Sequence, residues 1–149
     1  MIKITQATLK DLNDLNELFD GYRVFYKKKS EKKASKAFLK ERIEKNESVI
    51  FISRDSAGIA TGFTQLYPLF SSTRLKRVWL LNDLFVDSIF RGQGHSKKLI
   101  EAAKELCRQT KAAGMSLETA KDNVIGNNLY PATGWTVDEE HNFYFWETE

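Results

Sequence analysis

A turn with two glycines, Arg91-Gly92-Gln93-Gly94-His95-Ser96, joins a long apolar run to an amphipathic stripe, and this junction constrains the fold more than any other part of the chain. The run from Lys76 to Val86 (KRVWLLNDLFV) has the apolar character of a central strand packed on both faces. The stripe Leu99, Ile100, Ala103, Leu106 and Cys107 recurs three and four residues apart, which predicts a helix to Ala113 with Gly114 at its left-handed cap. Glycines at such a turn let backbone approach a ligand, and the first amides of the helix lack intrahelical partners. The turn can therefore cradle an anion such as a pyrophosphate, with Lys97 and Lys98 adding charge. Plain tight packing of strand against helix is the alternative. Spacing rules out two other phosphate sites, because the dinucleotide fingerprint lacks its third glycine and no Gly-x-x-x-x-Gly-Lys-Ser/Thr occurs.

The remaining segments fit around that junction. Ile2 and Ile4 alternate as a short first strand, and Thr8 with Asp11 opens a helix whose apolar face is Leu9, Leu12, Leu15, Phe19 and Tyr22. A second helix is predicted over Ser35 to Lys45. Ser48–Ser53 and Ile59–Tyr67, separated by the turn formers Asp55 to Gly58, predict a hairpin that Pro68 ends. Met115–Thr119 follows as a strand, 127–133 as a short helix stopped by Gly134, and Trp135–Val137 and Asn142–Glu147 as closing strands. The order is that of an α+β fold with a mixed central sheet and about four helices. At 149 residues, with no repeat or linker, one domain spanning 1–149 is expected.

Composition narrows the function. One Cys excludes an internal disulfide framework, and with two His no metal site is expected. Cys107 falls on an apolar stripe and reads as a small buried hydrophobe rather than a nucleophile. No signal peptide or bilayer-spanning run is visible, which leads to the expectation of a cytoplasmic protein without membrane contact. Net charge is +3, but residues 21–45 hold ten Lys or Arg against three Glu, while 136–149 hold five acids and no base. Such a stretch can meet nucleic acid or an anionic substrate; as a solvated helix face it needs no partner.

Two motifs together resemble the GCN5-related N-acetyltransferases (GNAT). Arg91 to Ser96 resembles the family's Arg/Gln-x-x-Gly-x-Gly/Ala, with Ser96 at the last position. Asn123-Val124-Ile125-Gly126-Asn127-Asn128-Leu129-Tyr130-Pro131-Ala132-Thr133-Gly134-Trp135 resembles its Asn-x-x-Ala-x-x-Leu-Tyr-x-x-x-Gly-Phe/Trp block, with Gly126 for Ala. The resemblance implies a sheet splayed between its fourth and fifth strands and acetyl-CoA as cosubstrate. It also implies that backbone of Leu84, Phe85 and Val86 pairs with the pantetheine arm, that Arg91, Gly92, Gln93, Gly94, His95, Ser96 and Lys97 hold the pyrophosphate, and that Asn123 touches the cofactor. Tyr130, on the same carry-over, is the general acid for the departing thiolate.

Acetyl transfer to an amine needs an uncharged nitrogen, and deprotonating an amine of pKa ~10.4 at pH 7.5 costs about 4 kcal/mol. Asp83 and Glu118 are the candidate proton acceptors near the gap, through ordered water. Leu81-Asn82-Asp83 resembles the strand of the polyamine acetyltransferases in which a Glu-Asp pair stands, with Asn82 here at the Glu position. Neither His95 nor His141 is spaced for nucleophilic catalysis; His95 reads as a loop residue near phosphate. Direct transfer in a ternary complex follows. Tyr22, Arg23, Tyr26, Tyr67 and Asn82 are expected at the acceptor, a small-molecule amine or a peptide or protein lysine. The rivals are an acyl-CoA-binding regulatory module without turnover and a nucleic-acid-binding domain. The aromatic closing segment NFYFWE further suggests a strand edge that could pair two copies as a homodimer.

Overall fold

The structure is a computed structural model describing residues 1–149. It forms two compact units, Met1–Glu118 and Thr119–Glu149. The first contains a five-stranded sheet in the order β1 (Lys3–Gln6), β2 (Val49–Arg54), β3 (Ala60–Ser71), β4 (Lys76–Val86) and β5 (Met115–Ser116). Successive pairs are antiparallel except β4–β5, which is parallel, so the sheet is mixed as expected. Helices α1 (Leu12–Phe25), α2 (Lys32–Glu44) and α3 (His95–Gln109) lie in the same unit; α4 (Val124–Ala132) lies in the second. No helix is long and apolar enough to cross a membrane.

The entrance to α1 follows its sequence signal. Thr8 and Asp11 form a reciprocal capping box around a short 3-10 turn, Leu9–Asp11, that runs straight into α1. Leu12, Leu15, Leu18 and Phe19 then pack with Leu39 of α2 and with Ile50, Ile52 and Phe63, which the strand alternation turns to one face of the sheet. On the sheet β2–β4, α3 packs through Leu99, Ile100 and Ala103, all fully buried.

Four local expectations differ from the structure. α3 ends at Gln109, not Ala113: Lys111 takes the left-handed position (φ 54°), its N–H donates to Arg108 O and that of Ala112 to Cys107 O. That is the two-bond closure usually completed by glycine; Gly114 instead offers its carbonyl to Trp79 N–H. Pro68 does not end β3, which continues to Ser71. Pairing with β2 stops at Leu66, so Pro68 lies where β3 has β4 as its strand neighbour and a missing N–H is tolerated. β5 has only two residues rather than five. Finally, Trp135–Val137 and Asn142–Glu147 form no strands: Phe143, Tyr144, Phe145 and Trp146 are 79 to 91% exposed. β propensity describes fit to a half-buried surface, and those side chains have no such surface to fit.

Candidate active site

Pairing of β4 with β5 covers only Trp79↔Met115 and Leu80↔Ser116. From Leu81 to Val86, therefore, one side of β4 has no strand neighbour while the other remains paired with β3. Alternate N–H and C=O groups along Leu84 to Val86 are left for an extended, amide-bearing group to use as a surrogate strand, apart from Val86 O, which accepts from Arg91 Nε. Parallel pairing thus ends early at the place where the resemblance implies a splay between the fourth and fifth strands.

β4 leads through a 3-10 turn, Ser88–Phe90, capped by the Asp87 carboxylate accepting from Ile89 N–H, into the glycine turn. Gly92 (φ 74°) and Gly94 (φ 91°) both adopt the left-handed region, and a Cβ on either would meet open space. Their requirement is conformational. Gly94 caps α3 without a side chain, leaving the amides of His95, Ser96 and Lys97 at the positive end of the helix without a side-chain cap. Gln93 and Lys97 are exposed at the turn. The Arg91 side chain is exposed but anchored, with Nε donating to Val86 O at 3.0 Å and the guanidinium over the rings of Phe25 and Phe85.

His95 differs from its expectation as a loop residue near phosphate. Its side chain is buried at the first turn of α3, with Nδ1 2.9 Å from Thr61 Oγ1, which in turn lies 2.8 Å from Ser53 Oγ. Only its backbone is available at the turn. Burial holds the imidazole below its usual pKa, and Lys98 adds to the effect against Asp55.

Asp83 occupies the face of β4 toward α1. Gln65 pairs with Asp83 and Leu66 with Leu81, so Asn82 is the extra residue of a β-bulge beside the open edge. The Asp83 carboxylate is 3% exposed; Oδ2 accepts from Gln65 Nε2 at 2.5 Å and Oδ1 from Asn82 Nδ2 at 3.0 Å. Burial pushes it up, while hydrogen bonds from Gln65, Tyr22 and Asn82 oppose that. Tyr22 also donates to Asn82 O at 3.4 Å. Burial, and then the Asp83 charge, raise Tyr26 and push Tyr67 up to about 12, with Arg42 opposing at Tyr67. Tyr67 is consequently a hydrogen-bond donor, never a base, at neutral pH.

Tyr22, Tyr26, Tyr67 and Asn82 thus share the surroundings of Asp83, but Arg23 does not join them: it donates to Glu31 Oε2 at 2.8 Å and to Lys29 O at 3.3 Å in the loop between α1 and α2. Glu118 is exposed at the end of the first unit. In the second unit Asn123 caps α4 through Gly126 N–H and donates to Thr119 Oγ1. Gly126 permits this fold-back, since a Cβ there would lie 2.6 Å from Asn123 Nδ2. Tyr130 stacks edge-on against Trp135 at 5.9 Å.

Gln65, Ser48 and Thr61 are the polar residues that sequence reading missed. Gln65 and Thr61 lie on β3 and Ser48 just before β2, and only the register and the bulge bring Gln65, with Ser48 behind it, to Asp83 and Thr61 to His95.

The chain resembles known proteins over nearly its whole length. A family model described as the acetyltransferase (GNAT) family matches residues 13–135. The uncharacterized N-acetyltransferase YhfO of Bacillus subtilis (strain 168) is 41% identical over 137 residues, covering 92% of this chain and 91% of that one. A crystal structure of a probable acetyltransferase superposes with TM-score 0.94 at 38% identity, over 99% and 98% of the two chains. The aminoglycoside N-acetyltransferase AAC(6')-Iy, solved with CoA, shares the fold at TM-score 0.83 and 22% identity, over 99% and 96%.

Proposed function

The chain belongs to the acetyltransferase (GNAT) family, and from that premise we propose that it moves the acetyl group of acetyl-CoA onto a primary amine by direct attack in a ternary complex. The observation that carries this is the unpaired stretch Leu81–Val86 running into a turn with two left-handed glycines and the uncapped start of α3. These parts fit coenzyme A, which supplies an activated thioester. Backbone of Leu84, Phe85 and Val86 pairs with its amide arm, and the amides from Gly92 to Lys97 hold its diphosphate.

Among the chain's own groups, Asp83 is the better proton acceptor than Glu118. It is buried beside the bulge, where burial raises its pKa, and it is ringed by hydrogen-bond donors, whereas Glu118 lies exposed in solvent. The bulge at Asn82 and the tyrosines at 22, 26 and 67 form the acceptor side. Because its lone pairs are already shared with neutral donors, Asp83 takes the proton through Tyr22 or an intervening water. Tyr130 returns a proton to the thiolate, and a backbone N–H of β4 stabilises the oxyanion. Arg23, committed to Glu31, takes no part in acceptor binding.

Two structural neighbours contain aminoglycosides or their analogues, which supports a small-molecule amine as acceptor. Thiol release from acetyl-CoA across a panel of small amines and a lysine peptide tests the activity; no release with any of them, despite CoA binding, favours the regulatory module. With the amine so identified, Tyr130→Phe should lower kcat by about 10²-fold while CoA affinity stays within about twofold, and Asp83→Asn should act similarly. Unchanged kcat in either variant removes that residue's role.

A further inference from the structure

We propose that Gln65 is a positioning residue for Asp83, anchored at its far end by Ser48, so that the carboxylate is presented ionised and in a single orientation to the acceptor's proton. This rests on the assignment of Asp83 as proton acceptor. Gln65 is fully buried on β3 and directly opposite Asp83 across the bulge. Its Nε2 donates to Asp83 Oδ2 at 2.5 Å, and its Oε1 accepts from Ser48 Oγ at 2.8 Å.

A primary amide has a donating and an accepting end, and turning it over exchanges them. Turned over, Gln65 would place its oxygen against a carboxylate oxygen, an arrangement that only a protonated Asp83 can satisfy. Ser48 gives its hydroxyl proton to Oε1 in the present orientation and could accept from the amide in the other, so it is the charge on Asp83 that decides which end of Gln65 faces it. Orientation of the amide and charge on the carboxyl are therefore linked.

The surroundings make neutral donors decisive. Tyr22 faces Asp83 from α1 and Tyr26 from its C-terminal cap, Tyr67 and Gln65 from β3, and Asn82 from its own strand. The nearest cation in this set is Arg42 of α2, which acts on Tyr67 and not among the groups that bias Asp83. Burial favours the neutral acid, so ionisation depends on hydrogen bonds, and the Gln65 bond is the largest of those opposing burial.

Carboxyl-carbon NMR titration of the full chain with 13C-labelled aspartate reads this directly and needs no acceptor; Asp83→Asn identifies the signal. Gln65→Leu should raise the Asp83 midpoint by about one pH unit, a tenfold gain in proton affinity. Ser48→Ala should raise it less, in the same direction, because Oε1 loses its anchor and the amide is held less firmly against Asp83. A purely structural amide would lower the melting temperature and leave the midpoint where it was. An unmoved midpoint in Gln65→Leu, or in Ser48→Ala alone should Gln65→Leu fail to fold, overturns the proposal; a shift in Gln65→Leu without one in Ser48→Ala overturns the part given to Ser48. An Asp83→Asn enzyme with full turnover removes the underlying assignment whatever the titration reads, whereas an inactive one with unmoved midpoints removes Gln65 alone.

Discussion

Burial drives Asp83 and His95 in opposite directions along the pH axis, yet toward the same neutral form. The raised carboxyl of Asp83 binds its proton more tightly folded than unfolded, so it costs stability as pH rises from the usual carboxylate value of 3.8 through its folded value. The depressed imidazole of His95 behaves the other way: its contribution is complete above the usual 6.5 and is lost as pH falls from there toward its folded value. Replacing His95 by Asn should cost about 1 kcal/mol at pH 7.5 through the bond to Thr61. The same variant should lose less melting temperature than the parent between pH 6.5 and 5, since the group that must charge is gone. Thermal melts at several pH values check this, and parallel curves for the two proteins refute it. At this scale the sequence revealed the types but not the partners. Asp83 could be picked out beside Asn82, and Tyr22, Tyr26 and Tyr67 near it. Yet Gly-His-Ser reads as a loop, since nothing in it tells that the His95 ring turns inward to a threonine at a bulge in β3. Arg23 reads as an acceptor residue, and a glutamate eight residues on is invisible as its partner until the chain turns.

Between elements, the part that matters most is the passage from β4 through the glycine turn into α3, and it was also the most legible. An apolar run, two glycines and a stripe at helical spacing admit few other arrangements. What resisted reading were features set by neighbours rather than by local chemistry: the early closure of α3 on Lys111, the run of β3 past Pro68, and the closing aromatics that form no strand. A matched pair of substitutions separates the turn's binding role from its shape. Gly94 (φ 91°) and Gly58 (φ 84°) share the left-handed region, and neither has an atom within 4 Å of an added Cβ. Alanine at either should therefore cost about 1–2 kcal/mol in backbone strain. Gly94→Ala should in addition weaken CoA binding about tenfold by turning the α3 amides, whereas Gly58→Ala, in the hairpin turn after β2, should leave it unchanged. Calorimetric titration of CoA into both variants decides; equal affinities would detach the turn from the diphosphate.

Over the whole molecule, charge is the property that composition leaves most open, with a pI near 8.9 and a basic stretch at 21–45. The structure neutralises much of that stretch locally. Arg23 pairs with Glu31, Lys32 with Glu17, Lys40 with Glu44, Lys45 with Glu41, and Arg42 with Glu41 and Glu47. Lys27, Lys28, Lys29, Lys33 and Lys36 are exposed and outside these pairs. Surface pairs of this kind add little to stability, but each one removes a cation that a phosphate would otherwise attract. If only those five lysines meet a DNA duplex, the logarithm of the binding constant should fall with the logarithm of salt at a slope no steeper than about −4.5. Binding so dependent on ionic strength should be weak at 0.15 M salt, where screening extends over about 8 Å. A mobility-shift series from 0.05 to 0.2 M salt measures the slope. Retention of a duplex at the upper end, with a slope steeper than five contacts allow, would mean that paired cations release their carboxylates for phosphate, and a nucleic-acid partner would then stand beside the acetyl transfer. Loss of the complex across that range is the expected result, because a slope near −4.5 over a fourfold rise in salt lowers the binding constant about 500-fold.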